Sequence, residues 1–457
     1  MSIIWTREAL EAATGGRAGG PIDASSVSID TRSLQPGDLF IALVGDAGDG
    51  HMHAIAALDK GAAGAVVHPG FPLPDDPRLL HVANTQEALT GLGRYARGRF
   101  KGRTVAVTGS VGKTTTKEML RVALSALGPT HAATASHNNH WGVPLTLSRL
   151  DPGAAFCVCE IGMNHAGEIA PLAALVQPDV AVITTIAATH IGHLGSLAAI
   201  AREKAALVES LRDGGIAILP ADAAYLPDIM ARAHGAGARV VRFGGIDSGA
   251  EACLTALSLG ARETRLAALL EGEPIELHLM APGRHMAMNA LACLAAVKAL
   301  GGDVHRAAGA LEGFKPGDGR GALRPLLGGT AWLLDESYNA SGVSVRASLE
   351  VMRLIPATRR VVVLGDMLEL GEFARDEHLS LAPAVRESAD IVYCCGHMMT
   401  DLYQILPSLI RGAAEVDSHA LAPVVAAALR PGDLVLVKGS YGSRMRDVVS
   451  ALAARAA

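Results

Sequence analysis

One run of this chain leaves little freedom about its fold: TVAVTGSVGKTTTKEMLRVALSALG, residues 104–128. The apolar Thr104–Thr108 segment reads as a buried strand. Gly109-Ser110-Val111-Gly112-Lys113-Thr114-Thr115 reads as a loop, and the amphipathic stretch after it as a helix. A strand, a Gly-rich turn, Lys-Thr and a helix in that order form a phosphate loop. Glycines let backbone N–H groups turn onto phosphate oxygens, and the helix N-terminus adds a favourable dipole. Lys113 is placed to reach the β- and γ-phosphates of ATP, and the Thr114 hydroxyl to ligate Mg²⁺. In one departure from the usual pattern, Val107 stands where the first glycine is expected.

Around this unit, apolar runs of four to seven residues (AFCVCE, DVAVIT, AILP) alternate with helical stretches. That alternation predicts an α/β fold with a parallel sheet covered on both faces. A chain of 457 residues exceeds one hydrophobic core, and about three domains are expected. The first hundred residues, punctuated by Pro36-Gly37 and Gly45–Gly50, read as a small α/β unit. A third unit follows the Gly-rich KPGDGRGALRP segment, with strands at AWLLD, RRVVVLGD, IVYCC and DLVLVKGS. The expected boundaries are residues 1–100, 101–316 and 317–457. The third unit has no GxGxxG, so a dinucleotide-binding fingerprint is absent.

The net charge is −5, with no basic block, so nucleic acid is not an expected partner. The six cysteines lack CxxC spacing and read as reduced core thiols of a cytoplasmic protein. Arg7 and Glu8 interrupt the N-terminus where a signal peptide would be apolar. No run is long enough for a membrane helix, so no membrane insertion is expected.

Three residues beyond the loop carry chemistry. Glu160 ends AFCVCE, which puts a carboxylate at the carboxyl end of a central strand, where open α/β sheets bind ligands. His190 lies just past DVAVITT, either as a metal ligand or as a structural loop histidine. Lys204 sits in SLAAIAREKAALVESL, with Leu197, Ile200, Leu207, Val208 and Leu211 on its own face. A lysine centred on an apolar stripe loses hydration, which favours the neutral amine. A neutral amine can take up CO₂ as a carbamate and become an anionic metal ligand. The other reading is a lysine that snorkels to solvent.

The chain resembles the Mur ligases of peptidoglycan synthesis. The motifs that carry the resemblance span nearly its whole length: DTRSLQPGDLFIAL and DGH, TGSVGKTT, SHNNHWGVPLTL, EIGMNHAGEI and ATHIGHLGSLAAIAREKA. They continue with GRHMAMNAL, DGRGALR, DESYNAS, VVLGDMLELG and LVKGS. The resemblance implies an N-terminal domain for a UDP-sugar peptide, a central ATPase and a C-terminal Rossmann-like domain. It also implies ATP-dependent joining of D-alanyl-D-alanine to UDP-N-acetylmuramoyl-tripeptide, by a monomer, with two Mg²⁺ ions and a carbamylated Lys204.

Carried over by motif, Thr114 and Glu160 would hold one Mg²⁺, and His190 with carbamylated Lys204 the second. Asn289 and Arg320 would contact ATP, with Arg320 steadying the transferring phosphate. Asp335, Tyr338 and Asn339 would face nucleotide or dipeptide. Thr31, Arg32, Asp49, Gly50 and His51 would bind the UDP part, Asn138 and Asn139 the peptide arm, and Lys438 substrate or phosphate. Two positions depart from the family pattern. Met286 follows His285 where asparagine is common, and Thr185 replaces an asparagine usual before the metal histidine.

Competing expectations are a ligase adding the third peptide residue, a folylpolyglutamate synthetase, or a non-catalytic nucleotide switch. The chain lacks a DNPR-like motif, which argues against the first. The set Glu160, His190 and Lys204 argues against the switch.

Overall fold

The computed structural model describes residues 3–45, 48–133 and 136–455. Three main sheets, each drawn from one stretch of chain, organise three α/β units. The first is five-stranded, in the spatial order Arg17–Ala18, Leu79–His81, Gly64–Val67, Asp38–Ile41 and Ser26–Ser28. Its unit is pinned to the central one by polar ties. Trp5 Nε1 donates to the Ser148 carbonyl at 2.9 Å, and Arg149 Nε to the Val27 carbonyl at 2.6 Å.

The central sheet has nine strands. The strand Arg103–Thr108 lies between Phe156–Glu160 and Val180–Ile183, parallel to both. Alternate residues serve opposite faces, as the pleat dictates. Val105 and Val107 join the cluster containing Met119, Leu120 and Leu291, from the helices Lys113–Ser125 and Arg284–Ala299. Ala106 joins the other cluster with Ile200, Leu207 and Val208, from the helix Leu197–Glu209. The phosphate-loop helix and the Lys204 helix therefore cover opposite faces of one sheet.

The central sheet continues past its parallel strands. Beyond Arg239–Gly244, the strand Ala252–Leu259 leads into the antiparallel strands Thr264–Leu270 and Glu273–Leu279. Residues along Thr264–Leu270 alternate between buried and solvated, so no continuous apolar run announces this extension.

In the C-terminal unit, strands Ala331–Glu336, Asp433–Lys438, Arg359–Gly365, Ile391–Cys395 and Arg411–Glu415 are parallel, with Ala322–Leu326 antiparallel at one edge. Both edge strands are mostly half-buried and carry weak sequence signals. One apolar cluster runs from Ile183 and Ile191 of the central unit to Val362, Leu364 and Leu370 of this one, so the two units share packed surface. The six cysteines are unpaired, and among the described residues no helix is long and apolar enough to cross a membrane.

Candidate active site

The helix Lys113–Ser125 starts at Gly112 (φ 85°) with no side-chain cap, which leaves its first N–H groups open to an anion. The turn before it is braced from the neighbouring strand. Ser110 N–H donates to the Thr185 carbonyl at 2.9 Å, and Val111 N–H to Thr185 Oγ1 at 3.0 Å. Ser110 Oγ donates to the Ala187 carbonyl at 2.8 Å and accepts from its N–H at 2.9 Å. Thr185, noted as a departure, thus supports the loop. A Cβ at Gly109 would lie 1.9 Å from Thr184 Oγ1, and one at Gly112 would lie 2.7 Å from Asn289 Oδ1. Both glycines are required sterically, and the buried Asn289 sits against the loop.

Lys113 Nζ folds back onto the Gly109 carbonyl at 2.7 Å and the Ser110 carbonyl at 3.3 Å. Burial pushes its pKa down; Glu160 opposes that shift and Arg320 adds to it. Both groups therefore act electrostatically on the loop lysine. The Arg320 guanidinium lies over the Tyr338 ring, 3.8 Å from its centroid, which fixes a planar cation on a rigid platform.

Glu160 is 2 % exposed. Its Oε1 accepts from Thr114 Oγ at 3.1 Å, Ser136 Oγ at 3.0 Å and Asn138 Nδ2 at 2.7 Å. Its Oε2 is buried and has no protein partner among the described residues. A bare carboxylate oxygen in a protein interior is costly unless a cation covers it. A carboxylate beside a threonine hydroxyl, all oxygen, is the donor chemistry of Mg²⁺. These residues fit a magnesium ion.

Lys204 is 1 % exposed, on the buried face of its helix, which Ser196 caps by accepting from Ala199 N–H at 3.1 Å. Burial, and then the charge of Lys113, push its pKa well below the usual lysine range, against a weaker opposing effect of Glu203. Of the two sequence readings, the structure excludes snorkelling, because the side chain is enclosed rather than extended to solvent. His190 adopts a left-handed backbone (φ 57°), and its Nδ1 makes an ion-pair contact with Glu369 Oε2 of the C-terminal unit.

Several motif residues have partners within the protein. Asn138 addresses the Glu160 carboxylate rather than open space. Asn139 Oδ1 accepts from the N–H groups of Trp141 at 3.2 Å and Gly142 at 2.9 Å, turning the chain into the helix Gly142–Ser148. His51 is fully buried with both ring nitrogens committed. Nδ1 lies 2.6 Å from Asp49 Oδ1, and Nε2 accepts from His68 N–H at 3.0 Å. It shapes the Asp49–Gly50 turn. Asp49, His51 and His68 form the only close group of three metal-ligating side chains among the described residues, yet the bonds at His51 leave it no free lone pair. Arg32 is exposed and pairs with Asp30 at 2.7 Å, and the Thr31 carbonyl accepts from Lys60 Nζ at 3.0 Å.

Lys438 is buried and donates to Glu336 Oε2 at 3.3 Å and the Asn339 carbonyl at 3.1 Å, so it ties two strand ends together. Asp335 Oδ1 accepts from Ser337 N–H at 3.1 Å and from its hydroxyl at 2.6 Å. Two participants lie in the quoted motifs but are not among the expected site residues. Ser136 links Thr114 to Glu160, and Glu369 meets His190 from another unit.

Comparison with known proteins bears on this arrangement. The sequence profile described as "Mur ligase middle domain" matches residues 107–297, and "Mur ligase, glutamate ligase domain" matches residues 324–441. UDP-N-acetylmuramoyl-tripeptide–D-alanyl-D-alanine ligase of Escherichia coli is 34 % identical over 459 residues, with 99 % of each chain covered. The crystal structure of MurF from Acinetobacter baumannii superimposes with a TM-score of 0.87 at 28 % identity, covering 98 % of this chain and 99 % of that one. MurF from Thermotoga maritima in complex with ADP gives 0.79 at 25 %, covering 94 % and 97 %. Folylpolyglutamate synthase of Mycobacterium tuberculosis shares the fold alone, with a TM-score of 0.63 at 18 % identity, covering 81 % and 93 %.

Proposed function

This chain belongs to the Mur ligase family, and on that footing we propose the reaction it performs and the residues that perform it. It is an ATP-dependent amide ligase of peptidoglycan precursor synthesis that joins D-alanyl-D-alanine to UDP-N-acetylmuramoyl-tripeptide. Full-length similarity to dipeptide-adding ligases supports that substrate pair over a third-residue-adding enzyme. Folylpolyglutamate synthase is related through the fold only.

The observation that carries the residue assignment is the buried Glu160 carboxylate, bonded to Thr114 of the phosphate-loop helix with its other oxygen bare. A carboxylate is a poor electrophile until its oxygen becomes a better leaving group. The γ-phosphoryl of ATP moves to the terminal tripeptide carboxylate, giving an acyl phosphate. The dipeptide amine then attacks the acyl carbon, and phosphate leaves. The open amides after Gly112 and the Lys113 ammonium would bind the phosphates, while Arg320, seated over the Tyr338 ring, would steady the charge that builds during transfer. Asn289 keeps the loop in register.

Thr114 and Glu160 would hold one Mg²⁺; His190 and Lys204, carbamylated on its neutral amine, would hold a second. When bound, these ions neutralise phosphate charge. Enclosure of Lys204 supports the carbamate reading, because the depressed basicity that burial causes is what CO₂ addition needs. The N-terminal unit would take the UDP end, with the exposed Arg32, paired to Asp30, beside Thr31, and the enzyme would act in the cytoplasm as a single chain.

Phosphate release tests the reaction. It should require ATP, a UDP-tripeptide carrying diaminopimelate or lysine, and D-alanyl-D-alanine together. Release without the dipeptide would count against it.

A further inference from the structure

His190 and Glu369 are two of the eight non-glycine residues with positive φ among the described residues, at 57° and 64°, and they touch each other across two units of the chain. Each such backbone costs on the order of 1 kcal/mol and persists only where its surroundings hold it. What holds them is a joint built backbone to backbone. Gly192 N–H donates to the Glu369 carbonyl at 3.0 Å. A Cβ on Gly192 would lie 2.4 Å from Gly371 N, and one on Gly371 would lie 2.8 Å from Gly192 Cα. No side chain fits on either glycine while the two loops meet.

The joint ends on an imidazole. His190 Nδ1 is buried and makes no hydrogen bond among the described residues, while the Glu369 carboxylate lies within ion-pair range of it. His190 also lies shortly beyond Ala187, whose backbone pairs with Ser110 of the phosphate loop. A carboxylate against one ring nitrogen fixes the ring and its tautomer, leaving the lone pair on Nε2.

We propose that Glu369 is a positioning residue that ties the His190 ring to the C-terminal unit, so that docking of that unit at Gly192 and Gly371 sets where His190 points at the nucleotide site. The inference rests on the ligase reading in placing His190 beside bound nucleotide. It goes beyond that reading by making the cation-binding strength of the central unit depend on a residue the C-terminal unit supplies. Undocked, the imidazole loses its partner and its fixed direction.

The test is a Mn²⁺ titration followed by electron paramagnetic resonance, on the full chain with a non-hydrolysable ATP analogue. Glu369→Ala should weaken Mn²⁺ binding by about tenfold or more, leaving binding of the analogue without metal unchanged. Glu369→Gln should recover part of the loss, since its amide oxygen still accepts from Nδ1–H. Gly192→Ala, which blocks the joint without touching either side chain, should weaken Mn²⁺ similarly and enlarge the radius of gyration in solution scattering. Mn²⁺ affinity of Glu369→Ala within twofold of wild type would overturn the proposal. So would Glu369→Gln binding no better than Glu369→Ala, or a wild type that binds no Mn²⁺. Dipeptide-dependent phosphate release by the wild type is a separate measurement, so failure of the ligase reading would show there instead.

Discussion

Thr114 Oγ1 lies 3.1 Å from Glu160 Oε1, joining the first turn of the phosphate-loop helix to the end of the adjacent strand. The contact leaves Glu160 Oε2 buried and bare, and a divalent ion is what relieves it. Glu160→Gln keeps the shape and the Oε1 acceptor but removes the charge. ATP turnover should fall about 100-fold or more, with nucleotide binding in the absence of metal kept. Steady-state kinetics over a Mg²⁺ series, beside a nucleotide titration in chelator, would show it.

Lys204 should be both essential and destabilising. Its amine stays neutral when folded at pH values where the unfolded chain, with a pKa of about 10.4, is protonated. Stability therefore rises with pH between the folded and unfolded values. In CO₂-free buffer, Lys204→Met should be more stable than wild type at neutral pH, with the gap closing as pH climbs toward about 10 and levelling off beyond it. Chemical denaturation across that range checks the sign. A gap that widens with pH would contradict it.

The same site predicts a chemical rescue. Lys204→Ala should lose ligation, and a short-chain carboxylate such as acetate or propionate should restore part of it by entering the vacated space. Turnover measured against carboxylate concentration decides this; full activity without the additive would refute the carbamate.

Gly112 admits no side chain. An alanine there takes on a left-handed backbone costing about 1–2 kcal/mol and meets Asn289 Oδ1 at 2.7 Å. Gly112→Ala should lower the melting temperature by a few degrees and weaken ATP-analogue binding about tenfold or more. Asn289→Ala in the same background should recover part of the stability, since it removes the obstructing atom.

Arg320 works as a plane as well as a charge. Arg320→Lys keeps the cation but loses the stack on Tyr338, so kcat should fall about tenfold or more, with the KM for ATP changing less. An equal loss in Tyr338→Ala would place both residues in one unit.

Much of this was legible in the sequence because it is periodic. Strands such as Arg103–Thr108 and Asp433–Lys438 are buried on both faces and read as apolar runs. Lys204 stood out because its neighbours at helical spacing are apolar. The antiparallel extension was hidden by its half-solvated alternation. His51 and Lys438 lie in motifs that suggest ligand contact, yet each is consumed by partners that no spacing rule reveals. Glu369 and Ser136 lie in the motifs VVLGDMLELG and SHNNHWGVPLTL, yet what each touches is settled only once the chain folds.

Ligation turns on activation of the tripeptide carboxylate by ATP, and isotope transfer tests that step directly. With ¹⁸O in both oxygens of that carboxylate, ligation to D-alanyl-D-alanine should deliver one labelled oxygen to inorganic phosphate and keep the other in the new amide. Phosphate without ¹⁸O, under conditions where the pentapeptide forms, would contradict it.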